Sequence, residues 1–82
     1  MVISEFGPQF ERRFKKIRNQ SLKNKLRKQI EKIINNPEIG KPMRHARKGT
    51  RELYIVPFRL SYAYIKDEDK IIFLDFYHKD KQ

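Results

Sequence analysis

IVPFRLSYAYI, residues 55–65, is the stretch on which the fold turns. It is apolar or aromatic almost throughout, and it reads as a strand that begins after Pro57. A proline cannot donate to a ladder, so Pro57 marks a tight connection or a bulge. Strand side chains alternate between faces. Phe58, Leu60, Tyr62 and Tyr64 therefore share one face, and Arg59, Ser61 and Ala63 share the other. The bulky set suits packing under helices. The second set is small and polar around a guanidinium, whose planar fork of donors suits a phosphate on an open face. The competing reading of Arg59 is a salt bridge across the sheet to Glu52 or Asp75. The residues alone leave both open.

RELYIV (51–56) reads as the strand before this one, and IIFLDFYH (71–78) as the strand after it, across a charged DED turn. Short connections make the three an antiparallel meander. Upstream the period changes to that of a helix. Leu22, Leu26, Ile30, Ile33 and Ile34 form one apolar stripe, with Ser21 as the expected N-cap and NNP (35–37) as the stop. An earlier short amphipathic helix carries Phe10, Phe14 and Ile17 after the break at Gly7-Pro8. VISEF (2–6) reads as a first strand, and EIGKPMRHARKGT (38–50) as a loop punctuated by Gly40, Pro42 and Gly49. The result is a single α+β domain over residues 1–82, in the order β-α-α-β-β-β. A helical hairpin packs on one face of a mainly antiparallel sheet and leaves the other face for function.

Twenty Lys and Arg against ten Asp and Glu give a net charge of +10 on 82 residues. That field attracts polyanions: nucleic acid, anionic lipid or an acidic protein. With no cysteine, disulfides, zinc-thiolate sites and thiol nucleophiles are excluded. No apolar run approaches the roughly 20 residues of a membrane span, and no signal-peptide pattern opens the chain. The expectation is a soluble cytoplasmic protein.

The loop cations Lys41, Arg44, Arg47, Lys48 and Arg51 can extend a phosphate track. Lys25 and Lys28 lie on a solvated helix face, where they can make non-specific contacts with a nucleic-acid backbone. His45 and His78 are the only histidines, and their setting makes a poor metal site. His78, near a strand end, can act as a proton donor or acceptor, or simply pack. Tyr54, Tyr62, Tyr64 and Tyr77 can stack on bases or belong to the core. There is no phosphate-binding loop and no dinucleotide fingerprint, so no cofactor is expected.

FGPQFERRFKKI, KNKLRKQIEKIINNPEIGKPMRHARKGTREL, FRLSYAYI and IIFLDFYHKD, in this order and spacing, resemble the RelE/ParE toxin superfamily of toxin–antitoxin systems, closest to the RelE branch. The resemblance covers nearly the whole chain and implies a RelE-like domain that enters the ribosomal A site and cuts mRNA. The 2′-OH would attack the adjacent phosphate without a metal, leaving a 2′,3′-cyclic phosphate and a 5′-OH. On this resemblance Arg59 matches the family's strand arginine, a phosphate ligand. Lys79 falls where a second arginine is usual, and Lys48 and Arg51 correspond to the basic residues ahead of that strand. The family's tyrosine beyond the last arginine is absent after HKDKQ, which leaves His78, Tyr77 or Tyr54 as the acid. The resemblance further implies an acidic RelB-like antitoxin, a toxin–antitoxin hetero-oligomer, and the ribosome and mRNA as partners. The alternatives are a ParE-like toxin that inhibits DNA gyrase by binding, and a non-catalytic basic RNA-binding module.

Overall fold

The computed structural model describes residues 2–43 and 49–78. Strand β1 (Ile3–Phe6) leads through Gly7 into helix α1 (Pro8–Lys15), and helix α2 (Gln20–Asn35) completes the hairpin. Pro8 opens α1, where its missing N–H would have no intrahelical partner. The N-cap of α2 is Asn19, whose side chain accepts a hydrogen bond from the backbone N–H of Leu22 at 3.2 Å. The expected cap, Ser21, instead lies inside the first turn, because an asparagine two residues upstream already satisfies that orphan donor.

Four further strands follow: β2 (Lys41–Pro42), β3 (Thr50–Ile55), β4 (Phe58–Ile65) and β5 (Lys70–His78). The sheet order is β1-β5-β4-β3-β2, antiparallel except for the parallel pair β1 and β5. The meander expected from the sequence is therefore the centre of the sheet. The region read as loop contributes a fifth strand, β2, too short to carry a period and placed at an edge where Pro42 is tolerated. Val56-Pro57 is the tight connection between β3 and β4, with Ile55 facing Phe58 across it. A short 3-10 turn, Lys66–Glu68, joins β4 to β5 and ends at Asp69 in the left-handed region, φ 50°. Aspartate is one of the few side chains that visit that region readily.

The core consists of Phe10, Leu26, Ile33, Ile55, Leu60, Tyr62, Ile71, Phe73 and Phe76. It confirms the helix side of β4: Leu60 and Tyr62 are fully buried, while Phe58 and Tyr64 pack against them from the rim. Fully burying one such side chain stabilises by about 1.5–3 kcal/mol, so this layer drives the docking of helices on sheet.

β5 does not keep its alternation. Ser61 faces Asp75 while Tyr62 faces Phe73, so Leu74 is an extra residue, a β-bulge. That slip lets Phe73 and Phe76, three positions apart, both enter the core. It also decides the faces of the residues beyond it.

Candidate functional site

The bulge at Leu74 turns Tyr77 onto the face of Arg59. The two are direct cross-strand partners, and Tyr54 of β3 is Arg59's partner on its other side. Tyr54, Arg59 and Tyr77 thus form a row across the three central strands. One pleat along, Lys41 of β2 faces Glu52 of β3. Because opposed residues of an antiparallel pair share a face, all five side chains stand on the side of the sheet away from the helices.

Glu52 joins the row. One carboxylate oxygen lies 3.4 Å from Arg59 Nη1, and the other accepts a hydrogen bond from the Tyr77 hydroxyl. The carboxylate side chain is only 10% exposed, whereas that of Arg59 is 38% exposed. The salt-bridge reading of Arg59 is therefore realised with Glu52, and the guanidinium still lies at an open surface. Asp75, the other partner considered, is bound to Arg13 of α1 at 2.7 Å. Ile39, Lys41, Glu52, Leu53, Tyr54 and Arg59 line a cleft of about 510 Å³.

Arg51 and Tyr62, from the helix side, hold the segment that brings Ile39 to that cleft. Arg51 Nη1 donates to the carbonyls of Glu38 at 3.0 Å and Gly40 at 2.8 Å. The buried Tyr62 hydroxyl donates to the carbonyl of Pro37 at 2.8 Å and accepts from the N–H of Gly40 at 2.9 Å. Burial pushes the Tyr62 phenol above its ordinary range, against smaller opposing effects of the Gly40 hydrogen bond and the Arg51 charge. Gly40 is required by this closeness, since a Cβ there would stand 2.6 Å from the Tyr62 oxygen. The segment between α2 and β2 is thus clamped to the sheet by two side chains, with Arg51 as a positioning residue.

His78 stands on the other face. It is opposite Phe58, its ring meets the Phe58 ring edge-on at 5.6 Å between centroids, and it lines a depression with Arg13, Lys16 and Ile17. Lys25 and Lys28 are exposed on α2, on the helix side, apart from the Arg59 cleft. Lys48, Arg44, Arg47 and Lys79 lie outside the described residues. Among the described residues no group of His, Asp or Glu is placed to hold a metal ion. No described helix is long and apolar enough to cross a membrane. On the helix side, Phe6, Phe10, Phe14 and Ile30 line an apolar groove of about 450 Å³, rimmed by Glu11, Lys15, Arg27 and Glu31.

A family model described as the ParE toxin of the parDE type II toxin–antitoxin system matches residues 5–82. No curated protein matches the chain by sequence. Among solved structures, the isolated RelE toxin of E. coli is similar with a TM-score of 0.82 at 13% identity, over 100% of this chain and 88% of that one. The RelBE2 toxin–antitoxin complex of Mycobacterium tuberculosis is similar with a TM-score of 0.80 at 20% identity, over 95% of this chain and 98% of that one. YafQ of E. coli gives 0.73 at 21% identity, over 98% and 96%. At these identities the likeness concerns the fold.

Proposed function

The chain belongs to the ParE toxin family of type II toxin–antitoxin systems, and we propose that it is an endoribonuclease toxin that cuts mRNA in the ribosomal A site. The observation that carries this reading is Glu52 joined at once to a cation, Arg59, and to a phenol, Tyr77. Cleavage by a ribose 2′-OH needs an acceptor for the 2′ proton, cations for the charge that builds on phosphorus, and a donor for the leaving oxygen.

Glu52 takes the proton from the 2′-OH as the 2′ oxygen bonds to phosphorus. Arg59 and Lys41 stabilise the extra negative charge. As the bond from phosphorus to the 5′ oxygen breaks, Tyr77 gives that oxygen its proton, leaving a 2′,3′-cyclic phosphate and a 5′-OH. The proton on Glu52 then returns to Tyr77 along their hydrogen bond, and the site is restored. Every proton is accounted for by this chain's own groups. Tyr77, rather than His78, fills the acid role because it shares Arg59's face. Lys48 and Lys79 are proposed as further phosphate ligands on the family resemblance, with Arg44 and Arg47 as contacts along the RNA backbone.

The partner is an acidic RelB-like antitoxin in a toxin–antitoxin hetero-oligomer. The net charge of +10 and the apolar groove between α1 and α2 fit a partner that is acidic and amphipathic. Acting on ribosomes and mRNA, the toxin works in the cytoplasm. The test is primer-extension mapping of mRNA on translating ribosomes with wild type and Arg59→Ala. Cuts at A-site codons that vanish in the variant support the reading; no cuts with folded wild-type protein on ribosomes of its own lineage overturn it. The match to a ParE model favours one second reading, inhibition of DNA gyrase by binding. A supercoiling assay with the same two proteins distinguishes it.

A further inference from the structure

Two exposed apolar side chains stand in the Arg59 cleft without contributing to the core. Tyr54 is 50% exposed and Ile39 is 42% exposed. Tyr54 is the direct cross-strand neighbour of Arg59. Ile39 is held with unusual care. Arg51 grips the carbonyls on either side of it, Tyr62 binds Pro37 and Gly40, and its own N–H donates to the Asn36 carbonyl at 3.0 Å. Backbone groups around one residue are satisfied while its side chain is left facing outward, which is preorganisation of a contact rather than burial.

We propose that Tyr54 and Ile39 form a nucleobase subsite, in which the base attached to the Arg59-bound phosphate stacks on the Tyr54 ring against the Ile39 wall. This rests on the reading of Arg59 as a phosphate ligand, and it adds recognition of the base. The cleft, about 510 Å³, lies within the usual range for small-ligand pockets. Among the described residues that line it, Arg59 and Lys41 stand against one carboxylate, Glu52, a positive balance. An apolar ring beside cations is how single-stranded nucleic acid is held: the backbone by charge, the base by its π-face. Stacking tolerates any base, so the subsite fixes the position of the nucleotide more than its identity.

The test is an NMR titration of the intact protein with a dinucleotide whose 2′-OH is methylated, which blocks cleavage, and with its abasic analogue. Wild type should bind the intact dinucleotide roughly ten- to a hundredfold more tightly than the abasic one. Tyr54→Phe should keep that preference and Tyr54→Ala should erase it, while the amide spectrum of both stays that of a folded protein. Arg59→Ala should weaken both ligands alike. Equal affinity of wild type for the two ligands overturns the subsite, as does a preference that survives Tyr54→Ala, or no saturable binding of either at millimolar concentration. A preference retained in Tyr54→Ala together with weaker binding of an acidic helical peptide assigns the patch to a protein partner instead. If Arg59→Ala leaves both affinities unchanged, the phosphate reading itself fails, whatever Tyr54 does.

Discussion

Glu52 holds Arg59 with one oxygen and Tyr77 with the other, so each of the three can be removed separately and its loss compared. Arg59→Ala should lower cleavage roughly 10²–10³-fold, the usual cost of deleting a group aimed at charge that develops in the transition state. Arg59→Lys should recover only part, because an ammonium lacks the two-pronged geometry. Glu52→Gln keeps the shape and removes the acceptor; single-turnover cleavage should fall roughly 10²–10⁴-fold. Its thermal unfolding should change little, because Arg59 is 38% exposed and water replaces the lost partner. A large drop in melting temperature with unchanged cleavage would make Glu52 a structural residue. The open-face placement of Arg59 was legible from strand alternation. Its link to Glu52 was legible only as one of two cross-sheet partners, because alternation fixes a face and leaves the register undetermined.

At the scale of elements, the bulge in β5 places Tyr77 beside Arg59, and the clamp on residues 37–40 places Ile39 in the cleft. Neither was legible. A strict alternation through FLDFY would put Phe73, Asp75 and Tyr77 on one face, and only the extra residue Leu74 separates Phe73 from Tyr77. The clamp joins Arg51 and Tyr62 to carbonyls 11 to 25 residues away, beyond any local pattern. Tyr62→Phe leaves the Gly40 N–H and the Pro37 carbonyl without that partner and should cost about 1–3 kcal/mol in urea unfolding. Burial raises the Tyr62 phenol above its reference value of 10.0, so the unfolded chain loses this proton first as pH rises. The stability held below about pH 10 should therefore decline above it, and the decline should be smaller in Tyr62→Phe. Gly40→Ala should destabilise as well, since its Cβ would displace the Tyr62 hydroxyl.

Across the whole molecule, the described residues place basic side chains on both sides of the sheet. Lys25 and Lys28 belong to the helix side, and Arg59 and Lys41 to the cleft. Lys25→Gln with Lys28→Gln should weaken RNA binding and flatten its salt dependence, by up to about 0.7 in log–log slope for each phosphate no longer neutralised. The positions of the cuts should stay as in wild type, because the cleft is untouched. Filter binding over a salt series reads the first effect and primer extension the second. A shift in cut positions would mean that the helix side also sets the register of the RNA.

The parallel pairing of β1 with β5 has a consequence in time. Ile3 to Phe6, made first, find their partners only at residues 70–73. Contacts so distant along the chain are slow to form and come late. An emerging chain can close its helical hairpin early, but the sheet stays incomplete until β5 has left the ribosome. The row through Arg59 is completed by Tyr77, which lies on that same strand. A chain whose β5 has not yet emerged therefore lacks a finished site.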